Sequence, residues 1–263
     1  MKSVSVLIPT YQPGWYLERC LDSIECQTLP KKSYKVYLAL NGPSDGYDEF
    51  VIRILKKYTF NWEYIYVEQA GVSNARNVLL ERSCEDYIAF IDDDDVVSPD
   101  YLEQLLMKSS ETFISVSNSF NFTDSVTHLT NNYLGISFSK LNDVEVSLFK
   151  SRKFFSSPVC KLIHRDIIGG VRFDPKLKIG EDSLYLAALS KRVSGVRKTA
   201  SSACYYVCER QGSASRSKIS RIDELRRLSY LIIAYSKMFF KGYNIPFILS
   251  RIVDSIVHVK RIF

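Results

Sequence analysis

No two of the six cysteines (Cys20, Cys26, Cys84, Cys160, Cys204, Cys208) form a C-x-x-C pair, which removes zinc-ribbon and dithiol redox sites. Dispersed in this way, they read as reduced, mostly buried thiols of a cytosolic protein. The three histidines, His128, His164 and His258, lack partners at ligand spacing, so structural roles are the simpler reading. No G-x-G-x-x-G follows the first strand and no G-x-x-x-x-G-K-[ST] occurs, so dinucleotide and P-loop sites are excluded. No window reaches the ~18 unbroken apolar residues that span a bilayer. Met1-Lys2-Ser3 leads directly into the short run 4–8, too short for a signal peptide and without a cleavage site.

Net charge is also missing from most of the chain. Thirty-five Lys and Arg against 29 Asp and Glu give +6. From Lys218 onward, nine cations against three acids give the same surplus, so the body balances to zero. A nucleic-acid surface over the body is thereby disfavoured. The basicity belongs to two amphipathic helical segments, 221–241 and 246–261. Basic helices with an apolar face suit a membrane interface. Packing on the body or a homodimer contact is the other reading.

What is present is an alternation of strands and helices. Apolar strands over 4–8, 34–40, 64–67 and 87–91 alternate with helices carrying Leu17, Leu21 and Ile24, then Phe50 and Ile54, then Ala75, Val78 and Leu79 inward. That rhythm predicts βαβ units and a mostly parallel α/β sheet flanked by helices. Beyond Pro99 it loosens: a helix over 101–107, a strand-like stretch over 113–122, a polar stretch up to Asn142, strand character over 156–163, a helix opened by Gly180-Glu181-Asp182 and a strand near 203–207.

The candidate chemistry gathers at strand ends. Asp92-Asp93-Asp94-Asp95 follows the apolar run 87–91, and ligands of open α/β sheets bind at the carboxyl ends of strands. Four adjacent carboxylates need a cation, and hard divalent ions take carboxylate and phosphate oxygens. An acidic turn before a helix starting near Ser98-Pro99-Asp100 is the alternative. Three other loops share that edge: Thr10-Tyr11, 41–45 and 71–76. Arg76, at a helix start, is the natural cation for phosphate oxygens.

Val4-Ser5-Val6-Leu7-Ile8-Pro9-Thr10-Tyr11, Gly71-Val72-Ser73-Asn74-Ala75-Arg76-Asn77 and Phe90-Ile91-Asp92-Asp93-Asp94-Asp95 together resemble the family 2 glycosyltransferases of GT-A fold. The resemblance continues through Lys161-Leu162, Arg172-Phe173-Asp174 and Gly180-Glu181-Asp182, to about residue 215. It implies a GT-A Rossmann-like domain whose halves, 1–97 for the nucleotide-sugar and 98–217 for the acceptor, precede a helical region, 218–263. It implies a nucleotide-diphospho-sugar donor, Mn²⁺ or Mg²⁺ on a D-x-D element, and inversion at the anomeric carbon. Carried onto this chain, Pro9, Thr10 and Tyr11 line the base and ribose pocket, Arg76 contacts the diphosphate, and Asp92 and Asp93 face ribose or donor sugar. Asp94 holds the metal and Asp182 is the catalytic base; helix-start acids favoured by the macrodipole are the plainer reading of Glu181-Asp182. Asp95 is left as a cap for the helix at Pro99.

Two departures refine the expectation. Asn41 stands where the family usually has an Asp that accepts from uracil; its amide oxygen still accepts, without charge, so UDP is favoured but another base is open. The Q-x-x-R-W element of processive synthases is missing, Trp15 and Trp62 being the only tryptophans, which favours transfer of one sugar. The expected acceptor is a glycan or lipid-linked glycan of a bacterial surface polysaccharide or lipooligosaccharide. The enzyme is then cytoplasmic, peripheral on the inner face of the plasma membrane if the tail seats there. Arg210, Ser213 and Arg216 form a candidate lid over the donor phosphates. A GT-A nucleotidyltransferase would begin with a Gly-rich first loop, which is absent. A catalytically silent sugar-nucleotide-binding or scaffold protein is the reading from another class.

Overall fold

The computed structural model describes residues 2–210 and 220–260. Strand β1 (Val4–Thr10) is buried along its whole length, as an apolar β-branched run at the centre of a sheet must be. It pairs in parallel with β2 (Tyr34–Asn41) on one side and β4 (Tyr87–Phe90) on the other. Strand β3 (Asn61–Val67) adds outside β2, again in parallel. Helices α1 (Tyr16–Glu25), α2 (Tyr47–Leu55) and α3 (Val72–Arg82) are the crossovers.

Further along, the short β5 (Val96–Val97) leads to α4 (Tyr101–Lys108). The stretch expected as one strand over 113–122 divides into β6 (Phe113–Val116) and β7 (Asn118–Phe122). Ser117 is the break: its backbone N–H donates 3.0 Å to the Cys160 carbonyl, outside either ladder. The polar stretch holds β8 (Thr130–Asn131) and α5 (Tyr133–Ser139), with β9 (Val144–Glu145) beyond. Strand character over 156–163 narrows to β10 (Lys161–His164), because Cys160 turns into the left-handed region at φ 62°. Then come α6 (Arg165–Ile168), α7 (Glu181–Leu189), β11 (Gly195–Lys198) and β12 (Cys204–Cys208).

The main sheet has the order β3-β2-β1-β4-β10-β6-β11-β9. Only β10 and β9 run against the other six strands, so the sheet is mostly parallel. A second sheet, β5-β12-β7-β8, stands beside its carboxyl edge. All six cysteines are free; half are buried and Cys26 and Cys84 are exposed, fewer buried than expected.

Helix α5 lies so close to β7 that Gly135 has no room for a side chain: an added Cβ would run into the Ser119 carbonyl oxygen. Backbone cannot yield as a flexible side chain would. Gly135→Ala should therefore lower stability by about 3 kcal/mol through overpacking, exceeding the roughly 1 kcal/mol gained in helix propensity. Chemical denaturation measures the difference.

At the C-terminal end, α8 (Arg221–Phe239) and α9 (Ile245–Lys260) form a hairpin. Leu228, Leu231, Tyr235, Phe247 and Ile248 are buried. The Phe155 and Phe247 ring centroids are 5.2 Å apart, and Ser183 and Tyr235 share a 2.9 Å hydrogen bond. Arg251 donates 3.1 Å to the Ser156 hydroxyl. One face of the hairpin thus belongs to the body, the arrangement the charge pattern ranked second. The opposite face stays uncovered. Among the described residues no helix is long and apolar enough to cross a membrane.

Candidate active site

The four loops named from the sequence meet at the carboxyl edge of β1, β2, β3 and β4. At their centre Asn41 is buried, and its side chain ties three loops together. Its amide nitrogen donates 2.7 Å to the Thr10 carbonyl, and its oxygen accepts 2.9 Å from the Gly71 N–H. Thr10 donates its hydroxyl to the Asp93 carboxylate. Pro9 is buried within β1, opposite Ala39, and serves to place the next two residues. Tyr11 is exposed and lies over Gly42, where a Cβ would come 2.8 Å from its ring. Gly42 has φ 88°, so glycine is needed there both for backbone and for the ring. Tyr66 donates 3.0 Å to the Gly42 carbonyl. An aromatic-walled shelf results, open to solvent.

The Asp run does four different things. The Asp92 N–H donates 3.0 Å to the Tyr205 phenol oxygen, leaving its carboxylate facing the cleft. Asp93 is buried, and that burial, reinforced by the neighbouring carboxylates, pushes it up to about 7. Asp94 pairs with the Arg210 guanidinium, whose centre is 4.2 Å from the Tyr16 ring centroid. Asp95 accepts 2.8 Å from the Cys208 N–H, and burial raises its pKa well above the ordinary value. Asp95 is therefore a tie to β12, not the helix cap expected. The turn before α4 is closed by the Ser98 hydroxyl donating 2.7 Å to Asp100. Ser213 and Arg216 of the suggested lid lie outside the described residues.

Arg76 is the hub. It is 4% exposed and forks between two chains of carboxylates: Nη1 donates 2.6 Å to Asp182 and Nη2 donates 3.1 Å to Asp92. Glu181 approaches Nη1 at 4.0 Å. The guanidinium centre lies 5.4 Å from the Phe173 ring centroid, and Phe173 stacks on Tyr185 at 3.9 Å. Planar, aromatic-backed and charged at any working pH, arginine suits this place as lysine would not. Asn77 fixes the geometry by exchanging two hydrogen bonds, 2.9 and 2.8 Å, with the Phe173 backbone. Gly180, at φ 89°, starts α7 and aims Glu181 and Asp182 at Arg76. Burial and the Asp182 charge push Glu181 up to about 7. Burial raises Asp182 too, with Arg76 pulling the other way.

Beside Asp92 is a cavity of about 320 Å³ bordered by Asp95, Asn121, Tyr133, Val159 and Glu209. Lys161, fully buried, donates to the Ser157 and Val159 carbonyls, and burial lowers it to about 8. Lys161-Leu162 belongs to the stretch that resembles the family, but the sequence assigns the lysine no role. A larger cleft, about 470 Å³, lies at the other end of the strands by Lys32, Asn61 and Trp62, and none of these groups borders it.

Among the described residues no three His, Cys, Asp or Glu side chains converge as a metal cage. Asp94 nonetheless fits a divalent ion. It is an oxygen donor already facing a cation, and Mg²⁺-type sites often use one or two carboxylates plus substrate phosphates.

The model of a family described as Glycosyl transferase family 2 matches residues 5–171, well over half of the chain. The chain belongs to this family. Among the family 2 relatives, "Glycosyltransferase GlyA" of Streptococcus pneumoniae is 32% identical over 231 residues, 81% of this chain and 31% of that protein. "Poly(ribitol-phosphate) beta-N-acetylglucosaminyltransferase TarS" of Staphylococcus aureus is 23% identical over 88% of this chain and 40% of its own length. The chain thus spans about a third of the one and two-fifths of the other. The S. aureus TarS structure with UDP-GlcNAc has TM-score 0.73 at 21% identity, covering 89% of this chain and 66% of that one. The mannosyltransferase from Pyrobaculum calidifontis with GDP-Man and Mn²⁺ has TM-score 0.65 at 15% identity, covering 97% and 69%. These likenesses establish the GT-A fold.

Proposed function

We propose that this family 2 chain transfers a single sugar, with inversion, from a nucleotide-diphospho-sugar to a glycan acceptor. The observation that carries the reading is the Arg76 fork, which reaches 106 residues along the sequence to Asp182 and joins it to Asp92 at the mouth of the cleft. An acceptor hydroxyl must lose a proton as it attacks, and Asp182 is the carboxylate held to take it. Burial makes it more basic than an ordinary carboxylate, while Arg76 opposes that shift and favours the ionised form. The shelf of Tyr11, Gly42 and Tyr66 would take the base, with Thr10 and Asp93 toward the ribose. Asn41 supports the shelf and keeps a second lone pair on its oxygen for a base N–H.

Asp94 and the donor's diphosphate oxygens would hold Mn²⁺ or Mg²⁺, which when bound neutralises charge on the departing diphosphate. Arg210 would then be free to move from Asp94 to the phosphates. UDP is the favoured carrier, since the TarS relative was crystallised with UDP-GlcNAc; the GDP-Man complex shows the same fold with another base. Names among the relatives point to cell-surface polymers such as teichoic acids, and the acceptor proposed is of that kind.

A thermal-shift panel of UDP, GDP, CDP and ADP with and without Mn²⁺ tests the donor half of the reading. UDP with Mn²⁺ should raise Tm most, by the few degrees that about 2.7 kcal/mol at a hundredfold excess over Kd corresponds to. A protein indifferent to every nucleotide defeats it.

A further inference from the structure

The α8–α9 hairpin turns one face to the body, yet its other face is not the polar surface such a helix pair needs in water. Ile233, Phe240, Ile245, Leu249, Val253 and Ile256 are all exposed. The four on α9 recur at intervals of four, four and three, which puts them on one stripe. Nine of the twenty exposed large apolar side chains of the described residues fall on these two helices and their turn. Singly, exposed apolar residues need no explanation; a continuous stripe does.

The turn supplies the second observation. Phe240, 94% exposed, stands at its tip. Lys237 lies one turn before it and Lys241 directly after it. Lys191 reaches the same corner, its ammonium 5.9 Å from the Tyr243 ring centroid. Among the described residues none of the three lysines has an ion-pair partner. Protruding aromatic, apolar stripe and unpaired lysines lie on or beside the hairpin, and the +6 surplus of the chain resides from Lys218 onward.

We propose that this outer face of the α8–α9 hairpin seats the protein on an anionic lipid surface. Phe240 and the α9 stripe enter the headgroup–acyl boundary and the three lysines meet lipid phosphates. A second copy of the chain is disfavoured as occupant, because self-association would oppose like-charged lysine corners around a two-fold axis.

The test is flotation of the full chain with phosphatidylglycerol–phosphatidylcholine vesicles against pure phosphatidylcholine. Wild type should bind the anionic vesicles, and 0.5 M salt should weaken binding. Phe240→Glu and Leu249→Glu should each lower partitioning about tenfold or more. Lys237→Glu with Lys241→Glu should do so by about a hundredfold, each reversal exchanging one attraction for a repulsion. All these side chains are exposed, so Tm should stay at the wild-type value and a loss cannot be ascribed to unfolding. Removing the hairpin is the wrong variant, since it would uncover Phe155, which packs on Phe247, and the Ser183 hydroxyl that bonds Tyr235. Wild type that ignores anionic vesicles, or variants that bind them equally, overturns the proposal. A dimer in light scattering that Leu249→Glu dissolves, without vesicle binding, assigns the face to a second copy and overturns it too. Nucleotide binding is read separately, so neither outcome bears on the transferase reading.

Discussion

Replacing Asp182 with Asn should lower the rate of sugar transfer by about 10³-fold while leaving nucleotide binding close to wild type. The substitution removes the proposed proton acceptor, a role worth typically 10²–10⁴ in rate, and changes almost nothing in volume. Asn keeps an oxygen for the Arg76 Nη1 donor, so the fork to Asp92 persists in geometry. The discriminating measurement is a split: kcat collapses, whereas the UDP-induced thermal shift remains. Equal transfer by the variant would remove Asp182 from the base role. Loss of nucleotide binding together with transfer would instead mark Asp182 as part of the donor pocket. Glu181 is the natural suspect for residual activity, being pushed up to about 7 and sharing the Arg76 corner.

The second large effect belongs to Arg76→Ala. Removing one partner from a buried charge cluster costs about 3–5 kcal/mol, because the others stay behind without compensation. Here Asp182, Asp92 and Glu181 would face one another across the vacated space. Arg76 favours the ionised forms of Glu181 and Asp182, so its loss drives the folded-state pKa values of these two further above the unfolded ones. Groups shifted upward stabilise the fold at low pH and lose that contribution as pH rises through the folded value. The variant should therefore be weakest above about pH 7, near the Glu181 value, and recover part of its Tm at pH 5–6. Its acid limb of kcat/KM should move to higher pH, as the base needs a higher pH to ionise. Arg76→Lys restores charge but not the fork, so it should recover the pH profile better than the rate. A purely structural arginine would lower Tm without moving that limb.

Most of the sheet was legible because its central strands are buried on both faces and so carry predominantly apolar runs: 4–8, 34–40 and 87–91 needed no tertiary information. Strands β9 and β11 were not, and neither was α5. Gly195-Val196-Arg197-Lys198 has one buried valine among small and charged residues, and its strand state comes from the β6 neighbour it pairs with. The Asp182 and Arg76 placements followed from their motifs. The fork joining them did not, since nothing local in either segment encodes a partner 106 residues away. Asp95 was misjudged for a related reason: the backbone N–H it accepts from, at Cys208, is supplied by a strand distant in sequence. The C-terminal helices were legible as amphipathic, but periodicity shows only that a face is apolar. It does not say how much of the circumference the body will cover.

The position of β10 has a consequence for synthesis. This strand runs antiparallel between β4 and β6, yet it is encoded some seventy residues after β4. Until it emerges, β4 is the open edge of a nascent four-stranded parallel sheet, with Ile88 and Phe90 apolar and its hydrogen-bonding groups unmet. At 5–20 residues per second, that edge waits for about 4–14 s. A trigger-type holdase, or slow pairing with another nascent chain, would compete for it in that interval. Slowing translation between residues 91 and 161 should therefore increase aggregated product, although the finished protein is unchanged in sequence.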